Sequence, residues 1–132
     1  MKRPVRKNAH PEHDAQCLVV EWARLNEGKW PELKLLFAVP NGARVAMRTA
    51  VKLKREGMKA GVPDLWLPMR SSGLLGDKSG LVIEMKAPKG RLSKEQDDWL
   101  FSLEMQGWTT AVCYSAEEAI AALTEYLKGG YQ

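Results

Sequence analysis

From His13 to Glu27 the apolar residues Cys17, Leu18, Trp22 and Leu25 recur at helical spacing, which predicts a helix closed by Gly28 and Pro31. Leu33 to Val39 is a short apolar run bounded by Pro40-Asn41-Gly42, the pattern of a buried strand and a turn. Ala46 to Gly57 reads as a basic helix stopped by glycine. Two strands follow, Asp64 to Leu67 and Leu81 to Lys86, and the Ser- and Gly-rich stretch between them reads as a long flexible loop. Ser93 and Gln96 form a capping box that opens a helix to Gln106, ended by Gly107. Trp108 to Tyr114 is a strand, and Ser115 with Glu118 opens a last helix that runs to Gly129-Gly130.

This order, α, β, α, β, β, α, β, α, predicts one α/β domain with a mixed sheet flanked by helices. The stretch from Leu81 through the Ser93 helix to the Trp108 strand has the length of a right-handed parallel crossover. The expected layout is a basic flexible tail over residues 1–10 and a single domain over 11–132. With 132 residues, 45% of them hydrophobic and 27% charged, the chain suits one soluble globular unit. Its apolar runs fall far short of the roughly 20 residues that span a bilayer, and the basic N-terminus has no apolar segment behind it to make a secretion signal. Cys17 and Cys113 sit in apolar stretches without metal-ligand spacing and read as small core residues of a cytoplasmic, reducing environment.

Charge adds a direction. Residues 44–59 carry Arg44, Arg48, Lys52, Lys54, Arg55 and Lys59 against Glu56 alone, whereas residues 95–132 carry seven acids and one lysine. A positive side of this kind either faces a polyanion or is a solvated helix face.

Three residues break the rules of a plain core. Glu84 lies inside an apolar strand and shares a strand face with Lys86. Asp64 follows Gly61-Val62-Pro63 at the start of the neighbouring strand, and a hairpin pairing of the two strands brings it near Glu84. Glu21 falls inside the arc set by Cys17, Leu18, Trp22 and Leu25. Each has a structural reading taken singly: a surface ion pair, a turn cap and a rim glutamate. One site explains all three, because converging carboxylates repel unless a cation relieves them, and hard oxygen ligands favour Mg²⁺ or Mn²⁺. Lys86 then stands where an ammonium can orient a water and stabilise charge on an attacked phosphate.

Asp64 followed by Glu84-Met85-Lys86 resembles the PD-(D/E)XK nuclease signature, and the chain from about residue 14 to 128 resembles the VRR-NUC domain. The likeness also runs through Pro40-Asn41-Gly42, Glu56-Gly57, Gly61-Val62-Pro63-Asp64-Leu65, Gly90-Arg91-Leu92-Ser93, Gln96 and Gly107. It implies a restriction-endonuclease-like mixed sheet of about four strands and a metal-dependent DNA phosphodiesterase without organic cofactor. The positions of Asp64 and Glu84 would bind the metal with the Met85 carbonyl, Glu21 would complete the acidic cluster and Lys86 would serve the attacking water. Gln96 would be a further active-site position, although the capping box explains it equally well. Small stand-alone relatives occur in bacteria and phages, are associated with branched DNA such as four-way junctions, and tend to dimerise. Arg44, Arg48, Lys52, Lys54, Arg55 and Lys59, with Lys89 and Arg91 after the second strand, are the candidate DNA contacts, helped by Lys94 near a helix start.

Trp22, Trp66, Trp99 and Trp108 read as core, and Trp30, before Pro31, as partly exposed. His10, Glu12, His13 and Asp14 fit no established metal spacing and read as a frayed end. The expected function is Mg²⁺- or Mn²⁺-dependent cleavage of DNA. The alternative is a module that binds branched DNA and recruits a partner without cutting.

Overall fold

A computed structural model describes residues 10–40, 46–73 and 76–129. Pro11, at the first helical position where its missing donor does no harm, starts α1 (Pro11–Leu25). A 3-10 turn (Pro31–Leu35), β1 (Phe37–Ala38) and α2 (Met47–Arg55) follow. Next come β2 (Leu65–Leu67), the short strands β3 (Ser71–Gly73) and β4 (Gly76–Lys78), and β5 (Leu81–Met85). The chain then runs through α3 (Lys94–Met105), β6 (Thr109–Cys113) and α4 (Ala116–Lys128).

The main sheet has the order β1-β2-β5-β6. β2 pairs antiparallel with β5, Leu65 opposite Ile83, and β5 pairs parallel with β6, so the crossover through α3 is present as expected. All five residues of β5 are buried, because both of its faces are covered. Leu81, Ile83 and Met85 pack with Val19 and Ala23 of α1 and with Ala119 and Leu123 of α4. Val82 packs on the other side with Leu100 and Leu103 of α3 and the rings of Trp66, Trp99 and Trp108. The fold is α/β, a four-stranded mixed sheet between helices.

Four local expectations need correction. The inward arc of α1 is Ala15, Val19, Trp22 and Ala23, whereas Leu18 and Leu25 are exposed and so is Cys17. Two apolar arcs run along this helix, and the arc with the larger leucines is not the one that meets the sheet. The run Leu33–Val39 is not a continuous buried strand: Pro31 starts a 3-10 turn in which only Leu33 is buried, and two residues of edge strand follow. The stretch after Met69 is not a plain loop, since β3 and β4 pair as a hairpin tied to the end of α4. There the Ser72 amide donates to the Gly129 carbonyl at 2.7 Å and the Tyr126 hydroxyl to the Met69 carbonyl. Finally, α1 is ordered helix from Pro11, so Glu12 and His13 do not belong to a frayed end.

Asn41, Gly42, Arg44, Gly130 and residues 1–9 of the expected tail lie outside the described residues. Among those described, no helix is long and apolar enough to cross a membrane.

Candidate active site

Continuing the β2–β5 register by one residue sets Asp64 across from Glu84. Directly opposed residues of an antiparallel pair project to the same side, so both carboxyls leave the sheet toward α3. The Met85 amide donates to Asp64 Oδ2 at 2.7 Å, which fixes the aspartate against β5.

The segment that delivers Asp64 depends on Gly61. This residue has φ +84°, and a Cβ there would lie 2.5 Å from the backbone carbon of Glu95. The loop before β2 therefore touches the first turn of α3 directly. Gly61→Ala combines backbone strain with a backbone clash, and we expect it to destabilise the protein by about 2–4 kcal/mol. Thermal unfolding would show this as a melting temperature lower by roughly 10 °C.

From the α3 side, Gln96 performs two tasks with one amide. Its Oε1 accepts from the Ser93 amide at 2.8 Å, closing the capping box, while its Nε2 donates to Glu84 Oε1 at 2.9 Å. The cap and the site position are therefore not alternatives. Lys86 Nζ lies 3.8 Å from the same Glu84 oxygen.

Glu84 is 3% exposed; no N–H or hydroxyl donor reaches its second, buried oxygen, Oε2, and its carboxyl shares a side-chain hydrogen bond with Asp64 when one of the two holds a proton. Burial, reinforced by the neighbouring Asp64 carboxylate and opposed by Lys86, pushes the Glu84 carboxyl up to about 8. Burial also raises Asp64, against the lowering effect of the Met85 amide, and the charge of Glu12 adds to the rise.

A buried carboxylate oxygen that no donor reaches, facing a second carboxyl, is a donor set suited to a hard cation. Asp64 and Glu84, with the Met85 carbonyl that the family resemblance adds, are the residues that could hold such a cation. Among the described residues no group of three or more His, Cys, Asp or Glu side chains gathers in a metal-holding cluster.

Glu21 is not part of this cleft. It is exposed, two residues on from the buried Val19 and so about 200° round the helix from it. The acid that α1 brings to the site is Glu12, with His13 and Gln16 beside it. Glu12, Gln16, Val19 and Ala23 follow one helical face at i, i+4, i+7 and i+11. That spacing was the available signal, hidden by the choice of the wrong apolar arc.

The carboxyl pair lies where two openings meet. One, of about 480 Å³, is lined by Glu12, His13, Gln16, Lys86 and Gly90. The other is lined by Lys54, Met58, Lys59, Gly61 and Val62, and both include Val39, Pro40, Asp64, Glu84 and Gln96. Arg48, Lys52 and Arg55 instead border a separate shallow groove on α2. Lys89, with a left-handed φ of 66°, and Arg91 are exposed on either side of Gly90, next to the first opening.

The sequence matches the VRR-NUC domain over residues 1–117. A solved structure of a VRR_NUC domain protein superposes with a TM-score of 0.75 at 25% identity, covering 96% of this chain and 93% of that one. No curated protein matches the chain. A family match over most of the sequence, on a four-stranded mixed sheet that sets Asp64 against Glu84, shows that the chain belongs to the VRR-NUC family of nuclease-type domains.

Proposed function

We propose that this chain is a Mg²⁺- or Mn²⁺-dependent DNA endonuclease that prefers branched substrates such as four-way junctions. The observation that carries the reading is the buried Glu84 beside the half-buried Asp64, with no donor reaching Glu84 Oε2 and Lys86 next to it. A hard divalent cation held there would supply Lewis-acid activation of the attacking water and neutralise charge building on the phosphate.

The chain's own residues set the geometry. Asp64 is locked by the Met85 amide and Glu84 by Gln96, so both carboxyls are oriented before substrate arrives. The Lys86 ammonium, 3.8 Å from Glu84 Oε1, would donate to the attacking water and stabilise the phosphate's added negative charge. Lys54 and Lys59, at the mouth that opens toward α2, would hold flanking phosphates. A two-fold dimer would present two such clefts to two strands.

The test is cleavage of labelled four-way junction, flap, linear duplex and single-stranded DNA with Mn²⁺, Mg²⁺ or EDTA, beside Asp64→Asn. We expect metal-dependent cutting that the variant loses while it still binds DNA, and symmetric paired nicks on the junction. Binding without cutting on every substrate would sink the proposal in favour of a recruitment module.

A further inference from the structure

On α2 the cations are divided. At 100° per residue, travelling round the helix away from the cleft meets Lys54 first, then Met47 and Val51, then Arg55, Arg48 and Lys52. Lys54 and the outer row stand roughly 130° apart on this count. Lys54 lines the opening to the carboxyl pair, whereas the outer three line their own groove together with Val51 and Glu56. Between the rows runs an apolar crest, Met47 at 83% exposure and Val51 at 56%, one turn apart. No residue of the helix is fully buried; Ala50 and Leu53 are half-buried on the body side, and the rest of it faces outward.

Cations on the side away from the cleft cannot neutralise the strand that enters it. An α-helix is about 10 Å across, and duplex DNA, with a persistence length of about 50 nm, does not fold round so narrow a rod. Two cation rows on two sides of one helix suit two phosphate backbones, those of two arms or the two that flank one groove, and the larger group on the side away from the cleft favours the former. An exposed methionine and valine between them suit an unstacked base step, where apolar wedges insert in other DNA-bending proteins.

Resting on the DNA reading above, we propose that α2 is a wedge for branched DNA. Lys54 and Lys59 take the backbone that leads to Asp64 and Glu84, Arg48, Lys52 and Arg55 take the backbone of a second arm, and Met47 and Val51 press against the base pair at the branch. The proposal accounts for a basic helix whose larger cation group points away from the cleft.

The experiment measures binding in EDTA, so it does not depend on cleavage. Compared are the wild type, Arg48→Ala/Lys52→Ala/Arg55→Ala, Lys54→Ala/Lys59→Ala and Met47→Ser/Val51→Ser, each on a four-way junction, a linear duplex and a single strand. Because every substituted residue is exposed, melting temperatures should match the wild type, and that control is part of the measurement. The outer triple variant is expected to lose about tenfold or more on the junction, with the salt dependence there falling by about two to three in slope, and to change little on linear DNA. The inner pair variant weakens binding to all three. With 2-aminopurine at the branch, the wild type raises fluorescence on binding and the crest variant does not. Equal loss on junction and linear DNA by the outer variant would mean one undivided surface, and no loss anywhere a solvated face; either overturns the wedge. A wild type that binds no DNA at all would instead overturn the DNA reading on which the wedge rests.

Discussion

Glu84→Gln is expected to lower metal-dependent DNA cleavage by at least about 10³-fold while raising the thermal stability of the metal-free protein. The two effects have one origin. Glu84 is placed in a strand with both faces covered, where its carboxyl is pushed up to about 8 and no donor reaches one oxygen. A glutamine of the same shape keeps an acceptor for Gln96 Nε2 and removes the charge that burial penalises. It also removes the anionic oxygen that a cation would need. Cleavage rates and melting curves on the same preparation check both halves. Lost activity with lower stability would point to simple unfolding, and unchanged activity would remove Glu84 from the chemistry.

The second expectation concerns pH. A carboxyl that is higher in the folded than in the unfolded chain holds its proton more tightly when folded. Its contribution to stability is then fully present below the ordinary value of 4.5 and is lost as pH rises through about 8. Asp64 is shifted in the same direction and adds to the trend. The metal-free protein should therefore melt at progressively lower temperature between pH 5 and pH 8, by an amount on the order of a few kcal/mol at 1.4 kcal/mol per pKa unit. Added Mn²⁺ should reverse the loss, and its stabilising effect should grow with pH because binding displaces a proton. In Glu84→Gln the pH slope should flatten. A stability that rises with pH in the wild type would show that the pair is ionised in the metal-free fold and held by other means.

The legible parts of the sequence were those where local rules and tertiary packing agree. Ser93-x-x-Gln96 and Ser115-x-x-Glu118 marked two helix starts, and both serines accept the amide three residues on. The apolar run Leu81–Met85, broken by one acid, marked the central strand and its odd member. Asp64 followed from proline at a strand start. What failed was the choice between equivalents. Periodicity says that α1 is amphipathic, but the helix carries two apolar arcs, and packing of small Ala15 and Ala23 against the sheet overrides the larger Leu18 and Leu25. That single phase error replaced Glu12 with Glu21. Composition misled at Ser71–Gly80, because serines and glycines describe a flexible loop unless a distant partner, here the end of α4, holds them. The second role of Gln96 was hidden for the opposite reason: its local role was sufficient, so nothing local asked for another.

The burial of β5 and the lack of it in α2 have a mechanical consequence. Asp64 and Glu84 are fixed to the strand most deeply enclosed by the fold, which opens only when the whole domain does. The basic helix that faces outward has no such anchorage. Stiffness and compliance thus reside in different parts of one small molecule: the carboxyls hold their spacing while the outward basic helix has room to adjust.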